Sequence, residues 1–193
     1  MKERRIILAS ASPRRRELLQ MLGIQNLIIC PAKGEEQPPD TAVPENIVRA
    51  LASAKAREVS RIARENDLII AADTIVWLDG RMLGKPRSEE EAFSMLRSLS
   101  ARSHEVYTGV CVRCGEEEDC EAERTQVCFR ELNDEEIRAY IEDGEPMDKA
   151  GAYGAQGKGA LFVRSIEGDF FNVMGLPVCR LGEMLARKGV TVL

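Results

Sequence analysis

The stretch IILASASPRRRELL at residues 6–19 decides the fold of this 193-residue chain. Residues 5–9 form an apolar run typical of a short buried strand. Ser12 can cap a helix and Pro13 suits its first position, so a helix follows the strand almost at once and ends at Gly23. A strand that leads directly into a helix favours the α/β class of folds.

Strands and helices continue to alternate along the rest of the chain. Further buried strands are predicted at residues 26–30 and 68–76, and helices at residues 45–64, 88–99, 133–144 and 178–188. Hairpin strands are predicted at residues 106–113 and 125–129, around an acidic turn at 115–118, and again at residues 161–166 and 170–173. A long loop is predicted at residues 31–44. No linker divides these elements, so we expect a single domain, residues 1–193, with two lobes of one mixed α/β fold.

Charge and hydropathy exclude several classes of function. Lys and Arg number 27 against 32 Asp and Glu, and the formal net charge of −5 argues against a protein whose affinity depends on nucleic-acid phosphates. No apolar run reaches the roughly 18 residues of a membrane span, and the arginines that follow the first apolar stretch do not suit a signal peptide. We therefore expect a cytoplasmic protein that binds neither nucleic acid nor membrane.

Six cysteines lie in or beside apolar segments of a chain that is long enough to fold without covalent cross-links. We expect them to be free thiols. The C-x-x-C at residues 111–114 lies in a predicted strand and has no second pair at zinc-finger spacing, which argues against a zinc or redox centre.

The junction between the first strand and the first helix is a candidate anion site. Backbone N–H groups and the positive end of the helix dipole meet there, and Ser10, Arg14 and Arg15 add a hydroxyl and two cations. Cations at the start of a helix oppose its dipole, which favours a bound phosphate over a merely solvated basic turn.

Asp73 interrupts the apolar run at residues 68–76. A buried carboxylate costs several kcal/mol unless it is paired, so it needs a partner. At the carboxyl end of a buried strand it would open into a cleft, where α/β sheets bind ligands, and a structural salt bridge is the alternative. The single histidine, His104, is expected to be structural. Any catalytic metal should therefore be a hard ion held by carboxylates, for which the available residues are Glu35, Glu36 and Asp73.

Two lysines and a glycine-rich segment complete the candidates. Lys55 lies among small residues and Lys85 precedes a proline, but most lysines are solvated and neither position is diagnostic. Residues 148–159, DKAGAYGAQGKG, allow a ligand to approach the backbone closely, yet they match neither a P-loop nor a dinucleotide fingerprint. Within them the amide of Gln156 can read the edge of a nucleobase, and a turn residue bonded to the backbone is the alternative.

Five blocks in order along the chain carry a family resemblance. They are LASASPRRRELL at 8–19, AADTIVW at 71–77 with LGKP at 83–86, LSARSHEVYTGV at 99–110, DKAGAYGAQGKGA at 148–160 and GLPV at 175–178. Together they resemble the Maf family of nucleoside triphosphate pyrophosphatases nearly end to end. The resemblance implies a two-lobed mixed-sheet α/β fold with a central cleft, similar to inosine triphosphate pyrophosphatases. It also implies hydrolysis of a nucleoside triphosphate to the monophosphate and pyrophosphate, with a divalent cation, Mg²⁺ or Mn²⁺.

The resemblance also assigns roles to individual residues. It implies that the triphosphate is bound by Ser10, Arg14, Arg15, Lys55 and Lys85. The catalytic group would be Asp73, Glu36 and Lys85, with Glu36 and Asp73 as metal ligands that orient or deprotonate the attacking water. Glu35 is the alternative to Glu36. The stretch that contains Gln156 resembles the branch that prefers dTTP and UTP, which makes this residue the expected reader of the base.

Alternatives remain open beside the dTTP and UTP activity, with modified pyrimidine nucleotides as further substrates. One is a house-cleaning pyrophosphatase for ITP, XTP or a methylated GTP, and the other is a nucleotide-sensing regulator of septum formation. The family likeness suggests a homodimer. Ala101 stands where the family usually has glycine, a departure that we expect to matter little.

Overall fold

A computed structural model describes residues 4–24, 26–34 and 37–192. The chain folds into two compact units, each assembled from separate stretches of sequence. Unit 1 takes Met1–Asp73, Thr108–Glu123 and Gly175–Leu193, and unit 2 takes Thr74–Tyr107 and Arg124–Met174.

Seven strands of the described chain form one mixed sheet. They are β1 (Ile6–Leu8), β2 (Leu27–Ile29), β3 (Leu68–Leu78), β4 (Arg81–Leu83), β5 (Ser103–Cys114), β6 (Glu117–Phe129) and β7 (Val163–Glu167). The strand order is β2-β1-β3-β5-β6-β7, with β4 paired to β3. β1 runs parallel to both β2 and β3, whereas β4 and β7 run antiparallel to β3 and β6. The predicted α/β class with a mixed sheet is confirmed.

Six α-helices lie in the described residues. They are α1 (Pro13–Met21), α2 (Pro44–Ser60), α3 (Glu89–Leu99), α4 (Asp134–Glu142), α5 (Phe170–Val173) and α6 (Val178–Arg187). Short 3₁₀ turns follow α4 at Glu145–Asp148, Ala150–Ala152 and Lys158–Phe162. The side chains of Ser88 and Asn133 cap α3 and α4, as their sequence signals predict. No described helix combines the length and the hydropathy needed to cross a lipid bilayer.

The strand β6 is longer than predicted, because it begins at Glu117, inside the predicted acidic turn. Acidic residues recur at every second position from Glu117 to Glu123, and each of these four bonds a cation near the end of the chain, whereas Glu118 bonds Arg57 and Arg113. The pairs are Glu117 with Lys188, Asp119 with Arg187, Glu121 with Arg180 and Arg187, and Glu123 with Arg180. The period of two that marks a strand is thus present, but the alternating residues are acidic. The strand is therefore not predicted from the alternation of apolar residues.

The hairpin predicted at residues 161–166 and 170–173 is wrong in its second half. Residues 170–173 form the short helix α5. The carboxylate of Asp169 accepts a hydrogen bond from the Phe171 N–H at 2.7 Å and caps this helix. A local side-chain cap therefore overrides the strand preference of the aromatic residues that follow.

The core of unit 1 is built from small residues where α2 packs on the sheet. Ala52 and Ala56 of α2 and Ala71 of β3 are fully buried. Gly109 of β5 contacts the backbone of α2 so closely that a Cβ there would lie 2.1 Å from the Val48 carbonyl oxygen. Small side chains on both sides therefore allow α2 to lie tight against the strands.

The core of unit 2 contains larger side chains. The Phe129 ring packs edge to face on Tyr153 with centroids 4.7 Å apart, and Phe162 packs in the same way on Tyr140 at 4.9 Å. Leu96 and Leu99 of α3 are fully buried beside them. Aromatic side chains thus supply much of the buried area here.

The prediction that all cysteines are free is wrong for two of them. Cys111 of β5 and Cys120 of β6 form a disulfide. Cys111 lies three residues before the end of β5 and Cys120 three residues after the start of β6, so the hairpin places them opposite each other. The pairing is not predicted because the expected second hairpin strand, residues 125–129, does not reach residue 120. The cysteines that remain free are Cys30, Cys114, Cys128 and Cys179.

Ala101 has a left-handed backbone with φ of 58°. This conformation costs an L-residue about 1–2 kcal/mol, more than the extra chain entropy of glycine, about 0.5–1 kcal/mol. The usual glycine of the family at this position therefore has a conformational reason. We expect Ala101→Gly to raise the free energy of unfolding by about 0.5–1 kcal/mol in urea titrations.

The matched control is Ala54→Gly, on the exposed face of α2, which should lower the free energy of unfolding by about 1 kcal/mol. Equal destabilisation by both substitutions would contradict the left-handed assignment.

Candidate active site

A pocket opens where β1 turns into α1. The Ala9 N–H donates to the Ile70 carbonyl at 2.8 Å, which ties the end of β1 to β3 and leaves Ser10 only 9% exposed. The hydroxyl of Ser10 accepts from the Ser12 N–H at 3.2 Å. Ser12 occupies the N-cap position as predicted, but its own side chain makes no capping hydrogen bond. The first N–H groups of α1 therefore keep capacity for an anion.

The pocket has a volume of about 260 Å³. It is lined by Ser10, Ala11, Ser12, Pro13, Arg16, Glu17, Gln20 and Ile29. Arg16 is a lining residue to which the family resemblance assigns no role. The signal for it is its position in the same arginine run, within the first turn of α1.

The arginines of α1 have different environments. The Arg15 guanidinium donates to the Gly175 carbonyl at 2.8 Å and to the Ser10 hydroxyl at 3.1 Å, so it holds Ser10 in place. Arg14 is half-buried and makes no hydrogen bond or ion pair with the described residues. Arg14 and Arg16 are thus the cations of this helix that remain available to a ligand, whereas Arg15 supports the hydroxyl.

Asp73 is 6% exposed and pairs with Lys55, whose ammonium lies 2.5 Å from the carboxylate. The prediction that Asp73 lies at the carboxyl end of its strand is wrong, because β3 continues for five residues to Leu78. The pairing of β3 with β1 ends at Ile70, and its pairing with β4 begins at Val76. Asp73 therefore lies between the two pairings, beyond the carboxyl end of β1. The strand that ends beside an opening is thus β1 and not β3.

Lys55 reaches Asp73 because α2 lies so close to the sheet. Its neighbour Ala56 is fully buried and its own side chain is 17% exposed. The partner that the sequence argument requires for Asp73 is thus present and is one of the two candidate lysines. Removal of either charge would take this partner away from the other, which is unfavourable for a buried charge.

Glu35 and Glu36 lie outside the described residues. The structure does describe the backbone just before them. There the N–H groups of Lys33 and Gly34 donate to the Glu58 carboxylate at 2.6 and 2.9 Å. These two donors lower the pKa of Glu58. The chain that leads to the two candidate carboxylates is thereby tied to α2, the helix that carries Lys55.

Backbone hydrogen bonds fix the segments that carry the two candidates of unit 2. Lys85 is exposed in the loop between β4 and α3, and its neighbour Gly84 accepts a hydrogen bond from the Gly151 N–H at 3.0 Å. Gln156 is exposed in a turn that the Gly157 N–H closes onto the Gly154 carbonyl at 3.3 Å. The side chains of Lys85 and Gln156 make no hydrogen bond with the described part of the chain, so both are available to a ligand.

His104 is buried, as expected of a structural histidine. Its Nε2 lies 2.7 Å from the Tyr153 hydroxyl, and its ring packs edge to face on Phe129. Burial lowers the pKa of His104 to about 4 and raises the pKa of Tyr153. No described residue bonds its Nδ1. A ring enclosed in this way has no access to a serine nucleophile or to a metal.

One group of three potential metal donors is found among the described residues, and it is not at Asp73. It contains Cys111 and Cys120, whose sulfurs are joined in the disulfide, and Glu118. Burial alone would raise the pKa of Glu118. Hydrogen bonds from Arg57, Ser53 and Arg113 together outweigh this effect, so the pKa is lowered. Its carboxylate is already occupied, and the group is structural.

Comparison with known proteins gives the family. The sequence model of the Maf-like protein family matches residues 5–188. The chain belongs to the Maf family. A dTTP/UTP pyrophosphatase of Syntrophomonas wolfei is 50% identical over 188 residues, which are 96% of this chain and 98% of that protein. A dTTP/UTP pyrophosphatase of Thermococcus kodakarensis is 51% identical over 173 residues, 90% of this chain and 91% of that protein.

Solved structures confirm the fold class of this Maf protein. The Ham1 protein of Staphylococcus aureus superposes with a TM-score of 0.55 at 14% identity, covering 96% of this chain and 100% of that one. A HAM1 protein of Coxiella burnetii gives a TM-score of 0.52, also at 14% identity, with coverage of 96% and 100%. At this identity the likeness shows the fold alone.

The burial of His104 predicts a pH dependence of stability. Its pKa is about 4 in the folded chain against 6.5 when exposed, so the unfolded chain binds the extra proton between these values. The stabilisation is complete above pH 6.5 and is lost as the pH falls towards 4, by about 3 kcal/mol in all. His104 is the only histidine, so this loss should dominate between pH 6.5 and 5.

The measurement is urea unfolding at several pH values for the wild type and for His104→Gln, whose amide can still pair with the Tyr153 hydroxyl. The variant should lose most of the slope between pH 6.5 and 5. Parallel curves for both proteins would refute the assignment.

Proposed function

We propose that this Maf protein hydrolyses dTTP and UTP to the nucleoside monophosphate and pyrophosphate. The observation that carries the proposal is the buried Lys55–Asp73 pair, which lies in the same unit as the anion pocket at α1. Relatives that are about half identical over nearly the whole chain bear the name dTTP/UTP pyrophosphatase. For this reaction, the pocket at α1 would bind the triphosphate and the Asp73 carboxylate would activate the attacking water.

The first function is binding of the triphosphate. The N–H groups at the start of α1, the Ser10 hydroxyl and the cations of Arg14 and Arg16 favour phosphate oxygens. Arg15 holds the Ser10 hydroxyl in place through its second bond to the Gly175 carbonyl. Lys85 of unit 2 keeps the role that the family resemblance implies, which is to neutralise phosphate charge.

The second function is activation of water. Water attacks the α-phosphorus, the bond from this phosphorus to the bridging oxygen breaks, and pyrophosphate leaves. Asp73 accepts the proton of the attacking water, and Lys55 fixes the orientation of its carboxylate. No protein nucleophile is needed, because positioned cations stabilise the charge that develops on the phosphoryl oxygens.

The residues present fit a divalent cation. Mg²⁺ in such sites binds through one or two carboxylates together with water and substrate phosphates, and Asp73 offers one buried carboxylate. We propose Asp73 and Glu36 as its ligands, with Glu35 as the alternative to Glu36. When bound, Mg²⁺ or Mn²⁺ would neutralise phosphate charge and make the attacking water more acidic.

Base recognition is assigned to Gln156 of unit 2. Uracil and thymine present an N3–H donor beside a carbonyl acceptor, and an amide offers the complementary acceptor and donor. The exposed side chain of Gln156 is available for this contact.

The direct test is a panel of dTTP, UTP, CTP, GTP, ATP, ITP and XTP, each with and without a chelator, with identification of the products. We expect dTTP and UTP to be converted to monophosphate and pyrophosphate, and the chelator to stop the reaction. Release of orthophosphate would contradict the proposal. Preference for ITP or XTP would favour the purine house-cleaning alternative, and binding without turnover would favour the regulator.

Asp73→Asn should abolish turnover while nucleotide binding persists. A missing general base costs about 10²–10⁴-fold in kcat, whereas the contacts of α1 with the phosphates remain. Binding is measured by calorimetry with a non-hydrolysable α,β-methylene analogue of dUTP. With a chelator present, the dissociation constant should change by less than about fivefold, because the contacts of α1 with the phosphates do not involve the metal that Asp73 would hold.

Asp79→Asn is the matched control, since Asp79 is exposed and pairs with Arg102 on a turn. It should retain full turnover. An Asp73→Asn protein that folds and keeps its rate would exclude Asp73 as the base.

A further inference from the structure

The turn that carries Gln156 is held by hydrogen bonds to the Glu145 carboxylate and to its partner, the Tyr140 hydroxyl. Oxygen Oε2 of Glu145 accepts from the Lys158 N–H at 2.8 Å, and Oε1 accepts from the Tyr140 hydroxyl at 2.9 Å. The same hydroxyl accepts from the Gly154 N–H at 3.1 Å. The residues on both sides of Gln156 are therefore tied to one Glu145–Tyr140 pair.

The glycines of this segment are explained by the same pair. A Cβ on Gly157 would lie 2.2 Å from Glu145 Oε1, and a Cβ on Gly159 would lie 2.7 Å from the Tyr140 hydroxyl. At Gly159 the backbone carbonyl of Gly154 lies equally close, at 2.7 Å, so glycine is needed there, whereas a side chain at Gly157 would displace the Glu145 carboxylate. The glycine-rich pattern, which matches no phosphate-binding motif, thus serves the attachment of the turn to Glu145 and Tyr140.

The pair itself is fixed in the core of unit 2. Tyr140 is 4% exposed in the last turn of α4, and its ring packs edge to face on Phe162 with centroids 4.9 Å apart. Glu145 follows the left-handed Gly144 and opens a 3₁₀ turn, and its carbonyl accepts from the Lys149 ammonium at 2.6 Å. A rigid support therefore lies under an exposed turn.

We propose that Glu145 is a positioning residue that sets the base specificity of this enzyme. Its carboxylate holds the turn so that the Gln156 amide is presented in one place before the nucleotide arrives. A pair of hydrogen bonds to a base edge requires placement within about 0.5 Å, and an unsupported turn would have to be ordered on binding. The proposal rests on the proposed function, and it assigns a role in recognition to a residue that contacts no phosphate.

The test is Glu145→Gln. Glutamine keeps the shape of the side chain but replaces one acceptor oxygen by an NH₂ group, which then faces either the Lys158 N–H or the Tyr140 hydroxyl. We expect KM for dTTP and UTP to rise about tenfold while kcat falls less than about threefold, because Glu145 contacts none of the residues proposed for the chemistry. The ratio of kcat/KM for dTTP to that for ATP should fall by a similar factor.

Two comparisons separate positioning from general damage. Glu142→Gln, the same change three residues earlier at an exposed position, should behave as the wild type. In a Gln156→Ala background, Glu145→Gln should cause no further loss of preference, since both residues act on one contact. Equal loss of kcat with every nucleotide and an intact preference would overturn the proposal, as would losses that multiply in the double variant.

Amide hydrogen exchange reads the support directly and does not depend on turnover. Exchange at Lys158 should accelerate in Glu145→Gln and remain slow in Glu142→Gln and Gln156→Ala.

If the wild type hydrolyses no pyrimidine nucleotide, the proposed function fails, and calorimetric affinities for dTTP and ATP then test Glu145 instead. Faster exchange with unchanged nucleotide preference would overturn the positioning role. Tyr140→Phe, which removes the hydroxyl under Gly154, provides the same test if Glu145→Gln does not fold.

Discussion

The candidate site in unit 1 is built around the ion pair between Lys55 and Asp73. A carboxylate in the middle of a buried strand is tolerated only with a charged partner, and that partner comes from α2. The helix can bring it because Ala56 and Gly109 remove the side chains that would hold α2 away from the sheet. Packing of small residues therefore decides where the ammonium lies, and the ammonium decides how the carboxylate is oriented. The site chemistry follows from this close approach.

Unit 2 also contains a pair of polar side chains that holds a proposed ligand-binding residue, here the neutral Tyr140 and the charged Glu145. Tyr140 and Glu145 link the aromatic core to an exposed turn, so that the rigidity of the core is passed to Gln156. The buried His104 and Tyr153 pair belongs to the same core and is kept away from the solvent. In both units a residue that is proposed to contact the ligand is thus held in place by polar contacts. Such supports determine precision more than affinity, because they reduce the ordering that binding would otherwise require.

Some elements of this fold are specified by local sequence, and others depend on contacts with distant residues. The first strand and helix, the caps at Ser88 and Asn133 and the mixed α/β class are predicted because local signals agree with the hydrophobic period. The start of β6 is missed because acidic residues carry its alternation and are neutralised by α6, which is distant in sequence. The Cys111–Cys120 disulfide is missed with it. The position of Asp73 within its strand is missed because the end of β3 depends on a pairing with β4 that begins at Val76.

By itself the sequence determined the family, the class of fold and the residue types that bind phosphate, because these are written in short motifs and in local periodicity. It also identified Asp73 as a carboxylate that needs a partner. Only the tertiary structure decided that the partner is Lys55, that Arg15 supports Ser10, and that Glu145 lies under the Gln156 turn. These are contacts between groups far apart along the chain or across a turn. They arise from the packing of α1, α2 and α4, and that packing is set by the volumes of many buried residues together, which no local pattern records.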